Sequence, residues 1–157
     1  LSAIPVFGRD GLALDRAWAN GAEAYLGVTV AGFPNLFMLY GPNTNNGSII
    51  FQIECQVAYA LRHIARMERE HLAWIDVKSE AMAAYNRALQ RDLDRVAVWQ
   101  GLANDYYRAA SGRIVTQWPH GMDRYNGMTN APDDDAYATS ASNSSRNIGT
   151  IERIRTA

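Results

Sequence analysis

Two apolar runs come early in the chain, 24–30 and 35–40, and Ala31-Gly32-Phe33-Pro34 separates them. Pro34 restricts the residue before it to extended geometry. The second run, Leu36-Phe37-Met38-Leu39-Tyr40, is short, continuous and bounded by turn residues, which predicts a strand buried on both faces. A dense turn cluster, Gly41-Pro42-Asn43-Thr44-Asn45-Asn46-Gly47-Ser48, comes next. Ser48 is placed to cap a helix running from Ile49 to about Arg69. The first half of that helix is apolar on almost every side. Its second half puts Leu61, Ile64 and Met67 on one face and Arg62, Arg66 and Arg69 elsewhere. A helix so patterned is expected to start deep in the interior and run outward, with its amide-rich tip pointing inward.

Before these runs, Gly8-Arg9-Asp10-Gly11 reads as a surface turn and Leu14 to Trp18 as a short helical or extended piece. After them, Ala73 to Val77 reads as a strand. Ser79 opens a second helix to about Val98, with Met82, Tyr85, Leu89, Leu93 and Val96 at core-facing spacing. Asn104 to Ala109, the turn Ala110-Ser111-Gly112-Arg113 and Ile114 to Trp118 predict a hairpin, which Trp118-Pro119-His120-Gly121 stops. Beyond Asn130 the chain turns polar and small. It is expected to be mobile there, or to pack only against a partner segment. The fold class is α/β, with two main helices, short strands and a hairpin.

Composition narrows the function classes. A formal net charge of −1 gives no field that would seek a polyanion. Arg87, Arg91 and Arg95 are interspersed with Asp92 and Asp94, which is the pattern of a solvated helix face, so no nucleic-acid partner is expected. The single cysteine, Cys55, excludes an intramolecular disulfide and makes a reducing cytoplasm the expected compartment. No apolar run is long enough to span a bilayer, and no signal-peptide layout opens the chain, so no membrane partner is expected. The chain opens on Leu1 in a stretch that reads as mid-protein, so a processed or truncated product is expected.

Chemistry concentrates at the turn cluster. A strand, a Gly-Pro-Asn turn and a Gly-Ser step into a helix together form an anion site. Unpaired first-turn amides and the helix dipole favour negative charge there, and Gly47 permits close backbone approach. The charged N1–C2 carbonyl edge of a reduced flavin would suit it. A plain strand-to-helix connection would need the same Gly, Pro and Asn residues, and spacing does not separate the two readings. His63, His71 and His120 are not spaced as a ligand set, and no metal site is expected. Cys55 reads as an inert buried thiol, and Glu54 as one half of a structural salt bridge. Spacing identifies no catalytic residue.

The stretch from Ala24 to Thr44 resembles the last third of class B flavoprotein monooxygenases of the Baeyer–Villiger, cyclohexanone-type branch. The likeness continues through Gly47-Ser48-Ile49-Ile50-Phe51-Gln52-Ile53-Glu54-Cys55-Gln56, Tyr106-Tyr107, Ser111-Gly112-Arg113 and Thr116-Gln117-Trp118-Pro119, and covers roughly residues 1–137. It implies that residues 1–100 are the C-terminal part of a Rossmann-like FAD-binding domain. Residues 101–137 would be a hairpin and C-terminal cap, and 138–157 a polar tail. It implies FAD and NADPH as cofactors, and insertion of one oxygen atom from O₂ into a small ketone or heteroatom substrate. Gly41, Pro42, Asn43, Thr44, Gly47, Ser48 and Ile49 become flavin neighbours, and Tyr106 falls near the nicotinamide nucleotide. The glycine fingerprints that such enzymes carry for FAD and NADPH are absent from these 157 residues. The implied partner is therefore an N-terminal portion of the same enzyme. The alternative is a non-catalytic fragment acting as an interaction module or homodimer.

Overall fold

The structure, a computed structural model, describes residues 4–96 and 107–141. Its elements in chain order are α1 (Leu14–Ala17), α2 (Ile49–Arg69), β1 (Leu72–Val77), α3 (Ser79–Asp94), α4 (Met122–Asn130) and β2 (Tyr137–Ala141). Single 3₁₀ turns at Arg9–Gly11 and Asp134–Ala136 precede α1 and β2. The Gly8–Gly11 turn, the short α1, the long α2 and β1 lie where the pattern puts them. α3 begins at Ser79 as predicted and ends at Asp94, capped by Arg95.

α2 is the axis of the fold. Ser48 caps it, its hydroxyl accepting from the Phe51 amide at 3.3 Å. The helix ends on the turn Glu70-His71, where His71 takes a φ of 51°. It packs against α4 and β1. β1 pairs antiparallel with β2, with Val77 opposite Tyr137 and Leu72 opposite Ala141, and a bulge between Leu72 and Trp74. The expected polar tail from 138 thus begins as a strand through Ala141, because β1 offers it a ladder. Residues 142–157 lie outside the described residues.

Three apolar clusters fill the interior. One joins Leu26, Val28, Tyr59, Ile75, Val77 and Tyr137. A second joins Cys55, Leu89, Leu93, Ile114, Trp118 and Tyr125. A third joins Leu14, Ala24, Val30, Phe33 and Met38. In α3, Leu89 and Leu93 are buried as the stripe predicts, while Met82 and Tyr85 pack at the core edge.

Two expectations are corrected. The run Leu36–Tyr40 is not a strand: the segment is irregular, with Leu39 50% and Tyr40 37% exposed. A strand needs a continuous ladder to satisfy its amides, and this segment has isolated bonds instead, among them Met38 N to Val28 O at 2.8 Å and, just before it, Asn35 N to Ile75 O at 3.0 Å. α2 is also turned the other way round. Its buried positions are Gln52, Cys55, Gln56, Tyr59 and His63, whereas Ile49, Ile50, Val57, Leu61 and Ile64 face outward. The arginines of its second half are drawn to carboxylates beside the buried face. Arg62 meets Asp133 at 3.2 Å, and Arg66 meets Asp134 at 2.8 Å.

Of the predicted hairpin, Asn104 to Tyr106 lie outside the described residues. The remainder holds as an antiparallel bridge of Arg108 to Ile114, with the Val115 amide donating to Tyr107 O at 3.0 Å. α4 has no counterpart in the pattern, because only Tyr125 and Thr129 of its nine residues are buried.

A polar knot ties β2 to α2. The Tyr59 hydroxyl donates to Asp133 and lies 2.7 Å from the Tyr137 hydroxyl, which is 3.0 Å from that of Thr29. His63 Nε2 lies 3.4 Å from Asp133. Burial pushes the Asp133 carboxyl upward, but His63, Tyr59 and Arg62 outweigh it and hold the group below its ordinary value. A carboxylate with a depressed folded-state value stabilises the fold above its unfolded value and loses that contribution as pH falls through the folded one. The chain should therefore lose stability on acidification below about pH 4. Asp133→Asn should flatten that part of the curve, as read by urea denaturation at stepped pH.

Candidate active site

The turn cluster connects the irregular segment 36–40 to α2, and four sets of contacts hold it. Gln56, on the buried face of α2, accepts from the Tyr40 amide through Oε1 at 2.7 Å. Its Nε2 lies 2.9 Å from the Tyr125 hydroxyl, which donates to Leu26 O at 2.7 Å. The Thr44 hydroxyl closes the turn on Gly41 O at 2.6 Å. Asn43 Nδ2 donates to Ile114 O at 2.9 Å and to Gln117 O at 3.1 Å. Finally, the backbone of 43–45 runs parallel to 115–118, with amide bonds from Asn43 to Val115, from Asn45 to Thr116 and from Trp118 back to Asn45.

Glycine is required where this turn meets the turn at Leu26-Gly27. A Cβ on Gly41 would lie 2.2 Å from Gly27 O, and one on Gly27 would lie 2.3 Å from Thr44 Cγ2. Backbone atoms cannot swing aside as a side-chain tip can. Gly47 takes a φ of +74° and sits against Met122, whose Cε, Cγ and Sδ would be 3.1–3.2 Å from an added Cβ.

A cleft of about 260 Å³ opens beside the turn. Gly41, Pro42, Thr44 and Asn45 form one side, and Trp18 and Thr116 contribute to the other. The hydroxyl of Thr116 is buried and, among the described residues, without a hydrogen-bond partner. The sequence-derived site residues thus fall into three groups. Gly41, Pro42 and Thr44 line the cleft. Asn43 is 2% exposed and its amide nitrogen is engaged with the 114–117 segment. Gly47, Ser48 and Ile49 form the tip of α2, which is exposed to solvent, contrary to the expected inward course. Tyr106 lies outside the described residues. At the tip, the Ile49 and Ile50 amides have no intrahelical acceptor, as in the first turn of any α-helix.

Gln52 and Gln56 escaped the sequence reading. Both are fully buried, one turn apart, on the side of α2 that faces the rest of the chain. Among the described residues neither polar atom of the Gln52 amide has a hydrogen-bond partner. Two glutamines four residues apart in a stretch otherwise apolar but for Glu54 were the available signal. His63, Asp133 and Asp134 bring ligand atoms within 4.8 Å of one another, but Arg62 and Arg66 already compensate the two carboxylates. Burial, with a smaller contribution from Glu54, raises the Cys55 thiol above its ordinary value, which keeps it protonated.

Comparison with known proteins places this geometry. No family model matches the chain. A Baeyer–Villiger monooxygenase of Pseudomonas aeruginosa is 46% identical over 136 residues, covering 84% of this chain and 26% of the relative. The chain matches the C-terminal part of the Baeyer–Villiger monooxygenases. An FAD-binding monooxygenase of Aspergillus niger is 34% identical over 80% of the chain, and 22% of that relative is covered. Among solved structures, a closed form of cyclohexanone monooxygenase superposes with a TM-score of 0.78 at 25% identity, covering 88% of this chain and 27% of that one. An oxidized steroid monooxygenase bound to NADP shares the fold, with a TM-score of 0.78 at 23% identity and coverage of 89% and 27%. The chain therefore spans about a quarter of the length of the proteins it matches, and its mixed helix-and-strand fold matches a fragment of a monooxygenase FAD/NADP-binding fold.

Two substitutions test the site's construction. Gly41→Ala should cost roughly 1–3 kcal/mol, because its Cβ meets backbone, and chemical denaturation would measure it. Gln52→Leu removes two unpartnered buried groups at similar volume and should leave stability unchanged or raise the thermal midpoint. A marked fall would show that Gln52 has partners not seen here.

Proposed function

We propose that this chain is the C-terminal segment of an FAD- and NADPH-dependent monooxygenase that inserts one oxygen atom from O₂ into a small ketone or heteroatom substrate. The observation that carries the reading is the exposed tip of a 21-residue helix beside the cleft, in a chain that is 46% identical to a Baeyer–Villiger monooxygenase over 84% of its length. The tip amides of Ile49 and Ile50, reinforced by the helix dipole, are suited to the negatively charged edge of a reduced flavin ring. The fit rests on three features of the chain: free first-turn amides, a left-handed glycine with no side chain in front of them, and an adjoining cleft. Gly47, Ser48 and Ile49 would hold the ring edge, and Gly41, Pro42 and Thr44 would line the space beside it. Asn43 would set the turn from behind, and Tyr106 would lie near the nicotinamide nucleotide. FAD, when bound, supplies the redox chemistry with O₂.

The residues of this chain then have three tasks. Ser48 fixes the helix start so that the amides beyond it point outward. Gln56 holds Tyr40, and with it the entrance to the turn. Trp18, Val115 and the exposed part of Tyr40 give the cleft an apolar wall. No residue here is assigned a proton-transfer role. The remaining portion of the enzyme would carry both nucleotide fingerprints, and the compartment would be the cytoplasm. No helix among the described residues is long and apolar enough to cross a membrane.

The test joins this chain to the N-terminal portion of the Pseudomonas aeruginosa relative that precedes the matched region. The chimera should purify with flavin absorbance and oxidise NADPH in a manner dependent on a ketone or a sulfide. Gly47→Val puts a β-branched residue at a left-handed position against Met122, which would displace the backbone leading into the tip, and it should lower flavin retention at least tenfold. Undiminished flavin in that variant would remove the helix tip from the cofactor site.

A further inference from the structure

We propose that the outward face of α2 is the surface on which the portion of the monooxygenase absent from this chain is seated, an inference that rests on the functional reading above. Ile50, Val57, Leu61 and Ile64 recur at helical spacing and fall within an arc of about 60° at 3.6 residues per turn. They are 74%, 38%, 58% and 41% exposed. Ala58 and Ala65 lie beside them and are also exposed. Between Glu54 and Glu68 no charged residue stands on this face, because Arg62 and Arg66 turn away to Asp133 and Asp134. The fold thus turns Gln52, Gln56 and His63 inward and leaves the outward face apolar from Val57 to Ala65, between the exposed Glu54 and Glu68.

On the same chain, Leu39 and Tyr40 are also 50% and 37% exposed, and Gln56 holds the Tyr40 backbone against the buried side of the helix. The face continues at its far end, where a groove of about 340 Å³ opens between Phe37, Ile64, Met67 and Leu72, with Asn35 and Glu68 at its rim. An apolar surface of this continuity on a soluble protein marks an interaction site. Its occupant is specified by length. The chain accounts for 26% of the Pseudomonas aeruginosa relative and 27% of the closed cyclohexanone monooxygenase chain, so in each about three-quarters of the polypeptide remains to be placed. The face also borders the helix tip assigned to the flavin edge. A body seated on it would reach the cofactor site from the side that this chain leaves open.

The experiment mixes this chain with the separately produced N-terminal portion of the Pseudomonas aeruginosa relative and follows sedimentation velocity. A one-to-one complex is expected. Val57→Asp and Leu61→Asp, both at exposed positions, should weaken it at least tenfold while leaving the far-ultraviolet circular dichroism of the chain unchanged. Equal binding by the variants overturns the proposal. So does self-association of the wild-type chain that the same variants abolish, since the face would then belong to a second copy. Should the N-terminal portion prove insoluble alone, the two substitutions are compared in the isolated chain and in the single-chain chimera. A fall in thermal midpoint of several degrees in the chimera only is expected, and equal shifts in both overturn the proposal. Flavin content is read separately. A variant-sensitive complex without flavin would refute the functional reading and leave this interface standing, whereas a flavin-loaded chimera insensitive to Val57→Asp and Leu61→Asp would do the opposite.

Discussion

One side-chain amide, that of Gln56, meets two separate stretches of the chain and through one of them a third. Its oxygen takes the Tyr40 amide, and its nitrogen meets the Tyr125 hydroxyl, which in turn reaches Leu26 O. The entrance to the glycine-rich turn, the helix α4 and the buried loop at 24–30 are all referred to this point. A buried amide left without such partners costs about 1–3 kcal/mol, so the arrangement is maintained only while all three stretches are in place. The turn at Gly41, the tip at Ser48 and the cleft beside them follow from it.

The same constraint explains why α2 faces as it does. To reach Tyr40 and Tyr125, Gln56 must point into the protein, and Gln52, Tyr59 and His63 go with it. The opposite arc, with Ile50, Val57, Leu61 and Ile64, is then left outside. The hydrogen bonds of Gln56 and the burial of Cys55 and Tyr59 in two apolar clusters together decide the rotation of the helix. In a chain that forms about a quarter of its relatives, a helix can have two buried sides with only one of them built from the residues present.

Much of the local structure was legible in the sequence. The extents of α2 and β1, the start of α3 at Ser79 and the Ser48 cap follow from periodicity and capping chemistry, which act within a few residues. The resemblance carried by residues 24–44 and 47–56 was legible too, and the identity to the Baeyer–Villiger relative agrees with it. The misses share one cause. Whether Leu36–Tyr40 becomes a strand, and which side of α2 is buried, depend on neighbours distant in sequence. α4 buries only Tyr125 and Thr129, so it carries no stripe, and the pairing of β2 with β1 depends on a register that no local pattern announces. At the site, Gly41 and Thr44 could be picked out by residue type. The engagement of Asn43 with residues 114 and 117 could not, since it spans more than seventy positions.

That span has a kinetic meaning. The parallel contact between 43–45 and 115–118, and the knot joining Tyr59 to Asp133 and Tyr137, all close large loops. Loops of this size are entropically slow to close, and during synthesis the later partner emerges last. α2 can form as soon as it leaves the ribosome, but the turn in front of it has no fixed shape until Ile114 to Trp118 arrive. The part of this chain that would touch a cofactor is therefore among the last to acquire its geometry, and a nascent protein would be unable to hold the ligand there before its own C-terminal residues had been made.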